Sequence, residues 1–149
     1  MLLILAVLAG ISIMAYRSYQ HRRLVPEAAR RVVAVLAMAR EEAIRANQAH
    51  EAVVFIDEDT LWVDRGTSGS ANFIPKIITP VALPEFVSIT GVLKQGVNAT
   101  TGVVTLPFNP DGTAISAAIG LVEDNDPAAT ATVKIYRTTG RAHTFINGL

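Results

Sequence analysis

Four cations fall within ten residues near the C-terminus: Lys134, Arg137, Arg141 and His143, in "KIYRTTGRAH". "TTG" reads as a turn between two apolar-alternating runs, so the segment folds back as a hairpin. Folding would gather the four cations into one basic patch. Lys and Arg in such a patch contact phosphates through charge, without reading base sequence. Histidine adds less charge than arginine at neutral pH. The plainer reading is a hairpin with a glycine turn and solvated cations. Charge balance favours it: from Glu51 onward there are six Lys or Arg against ten Asp or Glu. Nucleic-acid-binding domains are usually clearly basic.

Other chemistry is sparse. The three histidines, His21, His50 and His143, show no metal-type spacing such as H-E-x-x-H. His50–Glu51 is a lone pair at the start of an expected strand. No G-x-S-x-G, P-loop or G-x-G-x-x-G occurs. Cysteine is absent, which excludes disulfides, thiolate metal sites and thiol nucleophiles. "EDNDP", Glu123 to Pro127, crowds three acids. A calcium site wants six or more oxygens in defined positions, and this run lacks the EF-hand spacing, so it reads as a solvated turn. Asn98 heads a glycosylation sequon, a motif frequent by chance. No catalytic residue, cofactor site or metal ligand set is expected.

The elements that carry these residues fall into two regimes. After Gln48 the apolar residues recur with period two. "HEAVVFI" and "TLWVD" read as strands joined at "DED", and "RGTSGSAN" as a polar loop. "FIPKIITPVALPEFVSI" holds three prolines and reads as a broken edge or an extended crossing segment. "GVVTLPFNPDGTAISAAIGLV" places the turn "NPDG" between apolar runs, which predicts a hairpin. Before Gln48 the period is helical. Val25, Ala29, Val32, Leu36, Ala39 and Ala43 recur at spacings of four and three, with Val33 and Ile44 widening the stripe. Arg30, Arg31, Arg40, Glu41, Glu42 and Arg45 fill the solvated side. Pro26 predicts a kink or restart. The helix packs either on the sheet that follows it or, over its lower half, on copies of itself. The expected class is α+β, a long N-terminal helix followed by a mainly antiparallel β-sheet domain.

The first sixteen residues, "MLLILAVLAGISIMAY", carry no charge. No positive residue precedes the apolar run and no Ala-x-Ala follows it, which argues against a cleaved secretion signal. A membrane helix fits better, although the run reaches only about 24 Å of the roughly 30 Å that a span needs. Arg17, Arg22 and Arg23 follow it, which favours keeping that side cytoplasmic. A basic leader upstream would remove the conflict. The division is residues 1–23 as hydrophobic helix, 24–48 as amphipathic helix and 49–149 as globular β domain. The positions expected to pack in lipid or between helices are Leu5, Leu8, Gly10, Ser12 and Ile13 in the first part. Val32, Leu36 and Ala39 serve in the second. Small residues such as Gly10 and Ser12 let helices approach closely.

Four stretches in order carry a resemblance that spans nearly the whole chain. They are "LLILAVLAGISIMAYRSYQ", "VLAMAREEAIRANQAHEAVVFI", "FNPDGTA" and "YRTTGRAH". Together they resemble the type IV pilin-like proteins of the GspH/FimT group of minor pilins and minor pseudopilins. The group's mature chains begin with Phe and a short stretch ending in Glu, which is not present here. Matching Tyr19 to the group's tyrosine places a few mature residues and the basic leader before Met1. Arg17 stands where the group often has proline.

The resemblance implies a pilin-like fold and a structural, non-enzymatic subunit of a type IV pilus or a type II secretion pseudopilus. It implies a single-pass anchor in the bacterial inner membrane before assembly, with the globular domain periplasmic, and a periplasmic or extracellular filament afterwards. The implied partners are other pilin or pseudopilin subunits, the assembly platform and the prepilin peptidase, with N-methylation following cleavage. In FimT-like members a C-terminal Gly-Arg-x-Arg hairpin is associated with DNA binding during uptake. Gly140 and Arg141 match it, and His143 replaces the second Arg. DNA binding through Lys134, Arg137, Arg141 and His143 is therefore one alternative. A membrane-anchored β domain unrelated to pili is another.

Overall fold

The computed structural model describes residues 23–65 and 79–147. The expected membrane helix with Leu5, Leu8, Gly10, Ser12 and Ile13, and most of the Gly/Ser loop, lie outside the described residues. Among the described residues no helix is long and apolar enough to cross a membrane.

Helix α1 spans Leu24–Ala46 and buries Val25, Ala28, Ala29, Val32, Val35, Leu36, Ala39 and Ala43. All six stripe positions are among them. The stripe widens toward Ala28 and Val35, while Val33 is half-buried and Ile44 is exposed. Four of the eight buried residues are Ala and three are Val, so the helix axis can lie close to the sheets beneath it. Arg23 already has helical dihedrals and its carbonyl accepts from the Glu27 N–H at 3.1 Å. Pro26 thus sits in the first turn of α1, where its missing N–H costs no helical bond, and the residues before Arg23 lie outside the described residues.

A Schellman motif ends α1. Asn47 takes the left-handed conformation at φ 51°, its N–H donates to the Ile44 carbonyl, and Gln48 N–H donates to that of Ala43. The turn aims the chain straight into β1, where buried His50 bonds through Nδ1 to the Gln48 carbonyl oxygen at 3.0 Å.

Among the described residues nine strands follow: β1 His50–Phe55, β2 Thr60–Arg65, β3 Val81–Ala82, β4 Val87–Lys94, β5 Val97–Ala99, β6 Val103–Phe108, β7 Ala117–Glu123, β8 Asp126–Ile135 and β9 Ala142–Asn147. They form two antiparallel sheets. The first has the order β3-β2-β1-β6 and the second β5-β4-β7-β8-β9. The β1–β2 hairpin turns through a single 3-10 turn at Ile56–Glu58, capped by Asp59, one residue ahead of the "DED" expected. Pro84 lies in the connection between β3 and β4, and β3 itself is a two-residue edge strand, as the proline spacing requires.

The "NPDG" segment departs from its expected role. Its turn forms, with Gly112 N–H donating to Asn109 O at 2.9 Å and Asn109 N–H to Thr113 O at 2.8 Å. The flanking strands then part. After the single Phe108–Ala114 bridge, β6 stays beside β1 in one sheet and β7 enters the other between β4 and β8. The carbonyl of Arg137 takes the Ala114 N–H at 3.0 Å and draws the chain across.

α1 packs against both sheets. The core joins its buried face to Ala52, Val54, Leu61, Val63, Leu106 and Phe108 of the first sheet, and to Ile89, Val92, Ile119, Leu121, Val133 and Ile135 of the second. The second sheet therefore has an inner face in the core and an outer face turned away from it. It also has two ends. The far end carries the turns at 95–96 and 136–141, beside the C-terminal half of α1. The near end carries Glu85, Phe86 and the turn at 124–125.

Candidate functional site

The far end is built on one side chain. The Nε of Arg40 donates to the Gly112 carbonyl oxygen at 3.2 Å and to that of Thr139 at 2.9 Å. This guanidinium ties α1 to the "NPDG" turn and to the hairpin turn at once. The turns touch closely because two residues lack a Cβ. Gly140 sits at φ 58° and a Cβ there would collide with the Gly112 carbonyl oxygen. Gly112 sits at φ 79° and a Cβ would press on the Arg40 guanidinium and Ile44. Arg40 was expected on the solvated side; instead it is half-buried in this junction. Arg31, with the same expectation, is exposed, and it bonds Glu27 at 2.7 Å and the Ala82 carbonyl at 3.2 Å.

The hairpin turn is closed by Gly140 N–H to Tyr136 O at 2.8 Å and by Tyr136 N–H to Arg141 O at 3.0 Å. All four expected cations are exposed. Lys134 and His143 face each other across β8 and β9 on the outer face, and Arg137 and Arg141 lie in the connecting turn. Two aromatic residues share that face. The Lys134 ammonium lies 4.9 Å from the centroid of Phe145, and the Tyr136 and His143 rings meet edge to face at 5.4 Å. Tyr136 and Phe145 stay over two-fifths exposed. They alternate with the cations, at 134 and 136 and at 143 and 145. That period-two pattern was visible in the sequence, but attention to charge alone missed it.

Beside the hairpin the outer face sinks into a cavity of about 270 Å³. Its floor is Ala118 of β7. Leu93 and Gln95 stand on one side, Lys134, Tyr136 and Arg137 on the other. Cross-strand register explains the depression: Leu93, Ala118, Lys134 and His143 form one row, in which the central residue is the smallest. No acidic residue lines it. Among the described residues no group of three or more His, Asp or Glu side chains is placed to hold a metal ion. In the "EDNDP" run, Glu123 is buried rather than solvated, and the turn proper is Asp124–Asn125.

Electrostatics at this end are local. The Asp111 carboxyl is held below the ordinary carboxylate range by the Thr113 hydroxyl at 2.6 Å and the Thr113 N–H at 2.9 Å. On α1, Glu42 is lowered by its hydrogen bond from Arg45, whose own value is raised in return.

Val32, Leu36 and Ala39, expected among the helix-packing positions, are fully buried against the protein's own sheets. They serve the domain core, because the helix stripe has a single apolar face and the sheets occupy it.

The sequence of residues 28–139 matches the family described as Type II transport protein GspH. The chain belongs to the GspH family. Solved structures share its fold at low identity. The type IV minor pilin FimU of Pseudomonas aeruginosa superposes with a TM-score of 0.62 at 18% identity, covering 85% of this chain and 92% of that one. The minor pseudopilin EpsH of the Vibrio cholerae type II secretion system gives 0.62 at 15% identity, over 86% and 97%. Escherichia coli GspH gives 0.61 at 12%, over 85% and 90%. No curated protein matches the sequence significantly. This GspH-family chain thus has the pilin-like α+β architecture that its sequence suggested. The two motifs "FNPDGTA" and "YRTTGRAH" supply the two turns that Arg40 clamps together.

Proposed function

We propose that this chain is a minor subunit of a pilus-type filament, assembled into a type II secretion pseudopilus or a type IV pilus. The observation that carries the reading is the GspH family match over residues 28–139, on an architecture of one helix laid over two antiparallel sheets. Before assembly residues 1–23 hold it in the inner membrane, with the β domain periplasmic. In the filament the apolar helix leaves lipid for a bundle of neighbouring helices, which preserves burial worth about 25 cal/mol per Å². Prepilin peptidase and the assembly platform are the partners that this route requires. The test is the mass of the N-terminal peptide of the protein purified from its native cells. A methylated residue upstream of Met1 is expected. An unprocessed Met1 terminus would overturn maturation by that route.

A second reading is that the far-end hairpin holds single-stranded DNA. Its support is the placement of Lys134 and His143 beside exposed Tyr136 and Phe145, since cations track phosphates and aromatic faces stack bases. Titration of the protein with a labelled oligonucleotide at several salt concentrations tests it. Affinity should fall with salt, and Lys134→Ala should flatten the slope. Equal binding by wild type and a Lys134→Ala/Arg141→Ala variant would sink it.

A further inference from the structure

The near end of the second sheet carries an unusual projection. The turn from Pro84 to Val87 is closed by Val87 N–H to Pro84 O at 3.3 Å, and Phe86 at its third position has φ 68°. Glycine or asparagine ordinarily fills such a position, because a Cβ disfavours the left-handed conformation. Phe86 is nonetheless 51% exposed. Asp124 N–H holds its carbonyl at 2.9 Å, so the ring stands on a fixed base. Neither apolar burial nor backbone preference accounts for a phenylalanine there. Exposed Glu85 and Asp124 flank it, and Asp57, Glu58 and Asp126 lie on the same end of the domain. Arg31 reaches this end too, but Glu27 already pairs it.

The far end of the same sheet presents the complement. Its 270 Å³ cavity has an apolar floor at Ala118, apolar walls at Leu93 and Tyr136, and cations at Lys134 and Arg137. Such a volume lies just below the range of drug-sized pockets and suits one aromatic side chain. Knob and cavity are separated by the length of β4, about 23 Å from Phe86 to Leu93. They cannot meet within one molecule.

We infer that the two surfaces pair between copies: Phe86 of one chain enters the Leu93–Ala118–Tyr136 cavity of a second copy. Glu85 and Asp124 then face Lys134 and Arg137. The contact is head-to-tail, with a different surface used on each copy, so it joins copies in a ring or an open row according to whether its rotation closes. It deepens the filament reading, on which its biological setting rests, by naming the surfaces through which globular domains stack. Charge complementarity favours a second copy as the occupant, because aromatic, acids, cations and cavity all belong to this one chain.

The wild type has no cysteine, so engineered thiols report cleanly. Glu85→Cys and Arg137→Cys chains, differently tagged, are co-produced at full length in cells and oxidised. A mixed disulfide dimer is expected, with little dimer from either variant alone. Lys134→Glu should cut its yield several-fold, and Asp124→Lys in the opposite chain should restore part of it. Phe86→Gly removes the ring while easing the backbone, so it should lower the yield without lowering the melting temperature. Homodimers from each single variant, adducts to other proteins only, or a yield insensitive to Phe86→Gly would overturn the inference. Recovery of the chain with purified filaments is scored in parallel. Filament recovery without the mixed dimer overturns the docking alone. The mixed dimer without filament recovery upholds the docking and overturns the filament reading. Absence of both overturns both.

Discussion

At the scale of single residues, Arg40 departs most from what its sequence position suggests. It lies among Glu41, Glu42 and Arg45 on a charged helix face, and nothing local distinguishes it from Arg30 or Arg31. Its role comes from turns 72 and 99 residues away, whose carbonyls it caps. A hydrogen bond to a charged group contributes about 1.5–3 kcal/mol where water is excluded, and less here because the site is half open. Arg40→Met should therefore destabilise by about 1–2 kcal/mol in urea titration, while Arg30→Met should change stability by less than about 0.5 kcal/mol. Asp111 belongs to the same junction. Its carboxyl titrates lower when folded than when unfolded, so what it contributes is present above the ordinary aspartate range near pH 4 and is lost as pH falls through the lower folded value. The Thr113 amide proton should report this as an NMR shift with a midpoint below that range, and Asp111→Asn should abolish it. The cations of the hairpin were legible from the sequence because they are close along the chain. Their aromatic companions and the Ala118 floor become meaningful only once β4, β7, β8 and β9 are placed in register.

At the scale of elements, the helix was the most legible part, because a 3.6-residue period over 23 residues leaves little freedom in which face is buried. Two neighbouring positions test that face. Leu36 is fully buried and Met38 is 47% exposed. Leu36→Ala should cost about 2–5 kcal/mol by the cavity it opens, whereas Met38→Ala should stay within about 0.5 kcal/mol. Chemical denaturation of both variants against wild type decides it. The sequence pattern could not say what the face would meet, since a core and a helix bundle ask for the same stripe. The strands were legible one by one from their alternation, and the β1–β2 and β8–β9 hairpins followed from short polar turns. The "NPDG" turn misled because turn chemistry specifies a reversal of the chain, not continued pairing of the strands beyond it. Pairing there was decided at a distance, by the Arg137 carbonyl and by the vacant place between β4 and β8.

At the scale of the whole molecule, the chain path interleaves the sheets. β1 to β3 lie in the first, β4 and β5 in the second, β6 returns beside β1, and β7 to β9 complete the second. His50 pairs with Phe108 only after the chain has built the start of the other sheet. Neither sheet is a contiguous piece of sequence, so neither can melt alone. Calorimetric and van't Hoff enthalpies of unfolding should agree for the folded domain, and two separate transitions would contradict this. Pairing at such separations also favours slow folding. One consequence concerns synthesis. α1 emerges before every strand it packs on, and its Arg40 finds its last partner 99 residues later, at Thr139. A chain broken off before that residue leaves the clamp open and the helix face without β9 to cover it. The junction therefore acts as a length gauge: only a chain made through Thr139 can seal it, and a shorter one stays exposed to proteolysis.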